Sequence, residues 1–119
     1  MKLTYQTIDD LNTTFNNLPV KGKTILTVAE NIMRLESHIK TALSVKDKLI
    51  KEYADGEKQI SNTHKNWDAF AADYEEILKQ EVEVEGLQKI NKTNINFDKE
   101  TEYKLQSLVV VLMKNGLLE

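Results

Sequence analysis

Apolar residues recur at steps of three and four between residues 25 and 53, the longest regular pattern in the chain. Such spacing is typical of an amphipathic helix with one apolar stripe. At ~1.5 Å per residue this helix would be roughly 45 Å long, so the other elements must pack onto it. The positions on the stripe are Ile25, Val28, Ile32, Leu35, Ile39, Ala42, Leu49 and Tyr53, interrupted by Lys46.

The predicted central helix covers about residues 22–54. Its start lies between Pro19, which suits a first helical position, and Thr24, which is an acceptable cap. Its end is marked by Asp55-Gly56, because glycine readily takes the left-handed conformation of a helix end. In the C-terminal half the apolar face widens to include Leu43 and Ile50. We therefore expect that half to be buried on two sides, and the other half on one.

Two shorter helices flank the central one in sequence. The first is predicted to begin at Thr7, with Asp10 completing a short capping box, and to end near Asn17 before Pro19. The second is predicted from aromatic and aliphatic residues on one helical face, with Asn66 as its cap. The members of that face are Trp67, Phe70, Ala71, Tyr74, Ile77 and Leu78. We expect both helices to contribute core residues, with Phe15, Phe70, Tyr74 and Ile77 buried together with Leu35, Ile39, Leu49 and Tyr53.

A last helix is predicted near the C-terminus. Asp98 is its expected cap, and Asn115-Gly116 is expected to stop it, with Leu117 folding back as the hydrophobic partner. The β-branched residues 109–111 favour a strand instead. The helical spacing of Leu105, Leu108, Val109 and Leu112 favours the helix.

Two segments alternate between apolar and polar residues, as half-buried strands do. Residues 3–6 form one, and residues 81–85 form the other, with Val82 and Val84 inward and the glutamates outward. The simplest sheet pairs these two segments in antiparallel fashion. Ile95 and Phe97 also alternate, which fits either a further short strand or an ordered loop. The predicted architecture is a single domain, residues 1–119, of the α+β class and mainly helical, with three shorter helices.

Composition excludes several kinds of chemistry. The chain has no cysteine, which excludes disulfides, zinc thiolate sites and cysteine nucleophiles. Its net charge of −3, with Arg34 as the single arginine, argues against nucleic-acid binding. No apolar run approaches the ~18 residues that cross a bilayer, and a membrane partner is not expected. The N-terminus turns polar at once, so no signal peptide is predicted.

No combination of residues predicts catalysis. His38 and His64 lack partners at the spacing of a metal site or a catalytic pair, so no metal or cofactor is predicted. Lys21-Gly22-Lys23 lacks the other parts of a phosphate-binding loop. Trp67, Phe70 and Tyr74 fit a binding stripe or, with greater weight, core packing. The chain is therefore predicted not to be an enzyme.

Six residues form a candidate interaction surface: Leu43, Lys46, Ile50, Glu81, Glu83 and Glu85. The glutamates share one strand face and could bind a divalent cation or a basic partner, although a solvated strand edge also explains them. A lysine at a helix seam can fix register in a two-fold dimer of the long helix. Alternatively, Lys46 reaches water past an intramolecular core.

The order of elements and two motifs are similar to a known family. Lys21-Gly22-Lys23 precedes the long helix, which finishes with Leu49-Ile50-Lys51-Glu52-Tyr53-Ala54, and an aromatic, acidic helix runs into Glu81-Val82-Glu83-Val84. Over roughly residues 1–86 the chain resembles a family of small uncharacterised proteins encoded by phages and prophages of Gram-positive bacteria. The loop after Gly56 is shorter than in that family, and Arg34 stands where relatives carry more basic residues.

The resemblance implies no activity and transfers no functional residue. It implies a phage gene product, often from the region of the late tail and lysis genes. On this basis we expect a non-enzymatic accessory protein that acts through protein–protein contacts, in virion (tail) assembly or late functions. It would reside in the cytoplasm of the infected or lysogenic host or in the virion. The alternative is a small regulator or inhibitor that binds one host protein.

Overall fold

The long helix α2, Thr24–Tyr53, packs against the two helices that flank it in sequence. The computed structural model describes residues 1–96 and 102–119. In chain order the remaining elements are strand β1 (Lys2–Thr4), helix α1 (Tyr5–Asn17), helix α3 (Trp67–Leu78), strand β2 (Glu81–Glu83), a 3-10 turn (Lys92–Asn94) and helix α4 (Glu102–Lys114). The predicted α+β, mainly helical architecture with one long helix and a small antiparallel sheet is confirmed.

Helix α1 begins two residues earlier than predicted, at Tyr5. Its cap is Thr4, whose hydroxyl oxygen accepts a hydrogen bond from the Thr7 N–H at 3.1 Å. The prediction that Thr7 begins the helix is therefore wrong, because the last residue of β1 is itself a good cap. The predicted end at Asn17 is confirmed.

Helix α2 follows Lys23, which makes no side-chain capping bond, so Thr24 is the first helical residue and not the cap. At the other end, the Ala54 N–H donates to the Ile50 carbonyl at 2.8 Å. Asp55 and Gly56 then adopt positive φ, 52° and 88°, as the predicted glycine stop requires.

Strands β1 and β2 form an antiparallel pair in which Leu3 lies opposite Val82. The predicted pairing is confirmed, although both strands are shorter than predicted. Val84 lies beyond the ladder but remains attached, since its N–H donates to the Met1 carbonyl at 2.9 Å and its side chain is buried. Val82 is half-buried, and Glu81, Glu83 and Glu85 are exposed as expected.

The larger hydrophobic core lies between α1, the N-terminal half of α2, α4 and the segment that follows β2. Its fully buried side chains are Ile8, Leu11, Phe15, Leu35, Val84, Ile90, Leu105, Leu112 and Leu117. Asn31 is also fully buried among them. Its side-chain amide bonds the backbone of Gln88 twice, at 2.9 Å each, which attaches the segment after β2 to α2.

A smaller core joins the C-terminal half of α2 to α3. Ile50, Ala54 and Phe70 are buried there, and Leu49, Tyr53, Ile60, Trp67 and Tyr74 pack around them. Of the residues predicted to be buried, Leu35, Phe15 and Phe70 are buried, whereas Ile39, Leu49, Tyr53, Tyr74 and Ile77 are half-buried.

The predicted burial of two residues on the apolar face is wrong. Leu43 is 53% exposed and Ile25 is 57% exposed, so the face does not widen to bury Leu43. Both side chains lie at the exposed edge of the apolar face, and neither belongs to the two hydrophobic cores. Ile50 is buried as expected.

The C-terminal part closes the larger core. Ile95 forms an isolated bridge with Val20, and Ile90 forms one with Leu118. Residues 109–111 are helical, as the spacing predicts. Gly116 has a φ of 67° and Leu117 is buried, which confirms the predicted stop. The predicted roles of Phe97 and Asp98 lie outside the described residues.

Candidate functional site

A cleft lies between the C-terminal half of α2, helix α3 and the loop that joins them. Its volume is about 380 Å³, which is within the usual range for ligand pockets. Lys46 lies beside Tyr74, and Ile50 packs with Phe70, so α2 and α3 are antiparallel along it. The lining residues are Leu43, Lys46, Asp47, Ile50, Lys58, Gln59, Ile60, Trp67, Phe70 and Tyr74.

Three aromatic rings on α3 form the floor of the cleft. The ring centroids of Trp67 and Phe70 are 5.6 Å apart, and those of Phe70 and Tyr74 are 5.9 Å apart with nearly parallel planes. Steps of three and four residues place all three rings on one helical face. Phe70 is buried, whereas Trp67 and Tyr74 are half-buried. The centre of the stripe is therefore core, its two outer rings border the cleft, and its role in binding stays a prediction.

Lys46 stands at one end of the cleft. Its ammonium nitrogen is 5.3 Å from the centre of the Tyr74 ring, a distance that allows a cation–π interaction. Burial, with a smaller contribution from Asp9, raises the pKa of Tyr74, so its hydroxyl remains protonated and the ring uncharged around neutral pH. The ammonium therefore has a partner within its own chain.

The loop at the other end is held by a compact set of hydrogen bonds. The His64 Nδ1 atom accepts from the Asn66 N–H at 3.0 Å, and the Asn66 side chain donates to the Tyr53 carbonyl at 2.8 Å. The His64 Nε2 atom lies 3.4 Å from the Asp55 carboxylate. Asn66 thus lies at the predicted cap position of α3, but its side chain ties the loop to α2 and makes no capping bond to its own helix.

A side-chain hydrogen bond joins α2 directly to α3. The Tyr53 hydroxyl donates to the Asp73 carboxylate, and this hydrogen bond is the main cause of a raised Tyr53 pKa. Together with the loop bonds, it fixes the spacing between the two helices. The cleft is therefore defined by structured elements along its length.

Half of the predicted interaction surface meets in the cleft. Leu43, Lys46 and Ile50 line it together. The other half, Glu81, Glu83 and Glu85, is not among the lining residues, and the Glu83 carboxylate contacts the amino group of Met1 instead.

Sequence reasoning missed the loop residues Lys58 and Ile60, because residues 57–66 read as a uniformly polar loop. One signal was present: Ile60 is the single large apolar residue in that segment.

The histidines do not assemble a reactive site. His38 is half-buried beside a cavity of about 40 Å³ between α1, α2 and α3, far smaller than the cleft. Within residues 1–96 and 102–119, no group of three or more histidine, cysteine, aspartate or glutamate residues is arranged to hold a metal ion. The cleft itself offers apolar and aromatic surface with lysines at its border, which suits binding of an apolar group close to negative charge.

Comparison with known proteins returned no match to any family model, curated protein or solved structure. None of the helices in the described part of the chain is both long and apolar enough to span a membrane.

Proposed function

We propose that this protein is a non-enzymatic accessory protein of a phage or prophage that acts through protein–protein contacts, in virion (tail) assembly or late functions. The proposal is supported by the cleft between α2 and α3 and, for its biological setting, by the family resemblance over roughly residues 1–86. A contact of this kind needs an apolar centre with a polar border, because the buried apolar area provides most of the affinity.

The cleft has both parts. Phe70 and Ile50 form its apolar base, while Leu43, Lys46 and Lys58 remain accessible at its edges. Trp67 and Tyr74 also line it, and tryptophan and tyrosine are enriched among the residues that contribute most to protein–protein binding.

Photo-crosslinking in cells tests the proposal. A photoreactive amino acid at Leu43 should give a covalent adduct with one phage or host protein during expression of the phage genes. The same group at Ile25 is the control, because Ile25 is on the same helix and similarly exposed, at 57% against 53%, but does not line the cleft. Equal labelling at both positions, or none at Leu43, would contradict the proposal.

Purified phage particles separate the two biological settings. If the protein is a virion or assembly component, particles or assembly intermediates should contain it together with the crosslinked partner. If the adduct at Leu43 is with a host protein and particles lack the chain, the protein is a regulator or inhibitor of that host protein.

A further inference from the structure

The cleft has the length of a two-turn helical contact. Leu43 and Ile50 are seven residues apart on α2, and Trp67 and Tyr74 are seven residues apart on α3. Seven residues of helix rise ~10.5 Å. An amphipathic helix that binds a groove uses anchors at i, i+3 or i+4, and i+7, which cover the same length. A groove between two antiparallel helices therefore matches a third helix lying along it.

The charged residues at the border of the cleft indicate which net charge a partner helix should carry. Of the charged residues that line the cleft, Lys46 and Lys58 are positive and Asp47 is negative. Lys46, on α2, lies beside Tyr74 of α3, whereas Lys58 belongs to the loop and is exposed. The neighbouring cation Lys65 is 3.4 Å from Asp55 and so already has a counter-ion. The border thus carries net positive charge on a chain whose overall charge is −3.

From these observations we infer that the occupant of the cleft is an acidic amphipathic helix of a partner protein, with apolar anchors on the aromatic floor and carboxylates near Lys46 and Lys58. The inference rests on the proposed function and adds the chemistry of the partner. Charge complementarity of this type sets partner choice more than affinity. Asp47 also lines the cleft, and it disfavours an acidic residue of the partner helix next to it.

The single tryptophan provides the assay, because Trp67 lines the cleft. Two synthetic helical peptides carry leucines at i, i+3 and i+7 and differ only in having glutamate or lysine at their polar positions. Titration of the full chain with each peptide is followed by Trp67 fluorescence. We expect the acidic peptide to shift the emission and to bind about tenfold more tightly than the basic one, with the difference falling as salt is added.

Charge-reversal variants identify the residues responsible. The double substitution Lys46→Glu and Lys58→Glu should weaken the acidic peptide about tenfold and strengthen the basic one. The control is Lys48→Glu, an exposed lysine of α2 outside the cleft, which should change either affinity by less than about twofold. Lys58→Glu alone alters only an exposed loop side chain, so it gives a smaller change of the same sign even if the double variant fails to fold.

Four other results of these experiments would contradict the inference. Equal binding of the two peptides, or the same effect from Lys48→Glu, would show that the cleft lysines do not select the partner. Light scattering tests for a second copy: a dimer that Leu43→Glu converts to monomer would mean that the chain itself occupies the cleft. If neither peptide binds but Leu43 still crosslinks one protein, the acidic helix is wrong and the proposed function stands. If Leu43 gives no specific adduct, the proposed function fails.

Discussion

The buried Asn31 side chain is the most informative single group to remove. It is 0% exposed, its amide nitrogen donates to the Gln88 carbonyl, and its oxygen accepts from the Gln88 N–H, both at 2.9 Å. The side chain thus pairs with the backbone as a neighbouring strand would.

The structure sets the size of the effect of Asn31→Ala. Two hydrogen bonds are lost, each with a net contribution of about 1 kcal/mol, and the partly buried Gln88 N–H and C=O groups lose their partner. We therefore expect the free energy of unfolding to fall by about 2–4 kcal/mol, because an unpaired polar group away from water costs more than a hydrogen bond contributes.

Urea unfolding measures the loss, and hydrogen exchange locates it. The Gln88 amide should exchange faster in Asn31→Ala than in the wild type. The matched control is Asn16→Ala, since Asn16 is exposed and its side chain bonds only its own helix, the Asn12 carbonyl at 2.8 Å. That change should cost less than about 0.5 kcal/mol. A loss below about 0.5 kcal/mol for Asn31→Ala, with unchanged exchange at Gln88, would refute the reasoning.

Four further results are expected. Leu35→Ala should lower the free energy of unfolding by about 2–4 kcal/mol in the same urea assay, because it empties a fully buried site; a loss below about 0.5 kcal/mol would place the core elsewhere. The pKa values of Tyr53 and Tyr74 are raised in the folded chain, which means that folding favours their protonated forms. Their contribution to the free energy of unfolding should therefore be fully present below about pH 10 and be lost as the pH rises through the pKa values of the folded state. Asp73→Asn, followed by tyrosinate absorbance, should lower the Tyr53 pKa, and an unchanged titration would contradict the assigned cause. Gly86→Ala should cost about 1–2 kcal/mol in urea unfolding, because its φ is 83°, and a neutral effect would show that the backbone there relaxes freely.

The sequence by itself determined the elements and their order. The steps of three and four between residues 25 and 53 reflect helix geometry, which one amphipathic segment reveals without knowledge of its partners. The same reasoning correctly placed α3, the strand containing Val82, and the helix over residues 109–111, since each depends on spacing and on nearby start and stop residues. The start of α1 was predicted wrongly at Thr7, because Thr4, which the alternating pattern placed within a strand, is the cap of this helix.

Only the tertiary structure decided which apolar residues remain exposed. Ile25 belongs to the predicted stripe with Val28, and Leu43 was expected to widen it, but both are exposed because burial depends on the packing of the whole chain. Asn31 shows the converse. It is polar and is not one of the stripe positions, yet it is buried because the backbone of Gln88, far away in sequence, supplies both hydrogen-bond partners.

The residues of the candidate site were likewise predicted from the sequence only in part. Leu43, Lys46 and Ile50 could be grouped from the sequence, because they lie within two turns of one helix. The sequence could not show that these residues are separate from the glutamates of β2 or that they meet Lys58 and Ile60. Both facts depend on how the loop after α2 folds back along that helix. Helical periodicity relates residues a few positions apart, whereas a cleft between elements requires contacts across the chain, and a single sequence does not encode those in any local pattern.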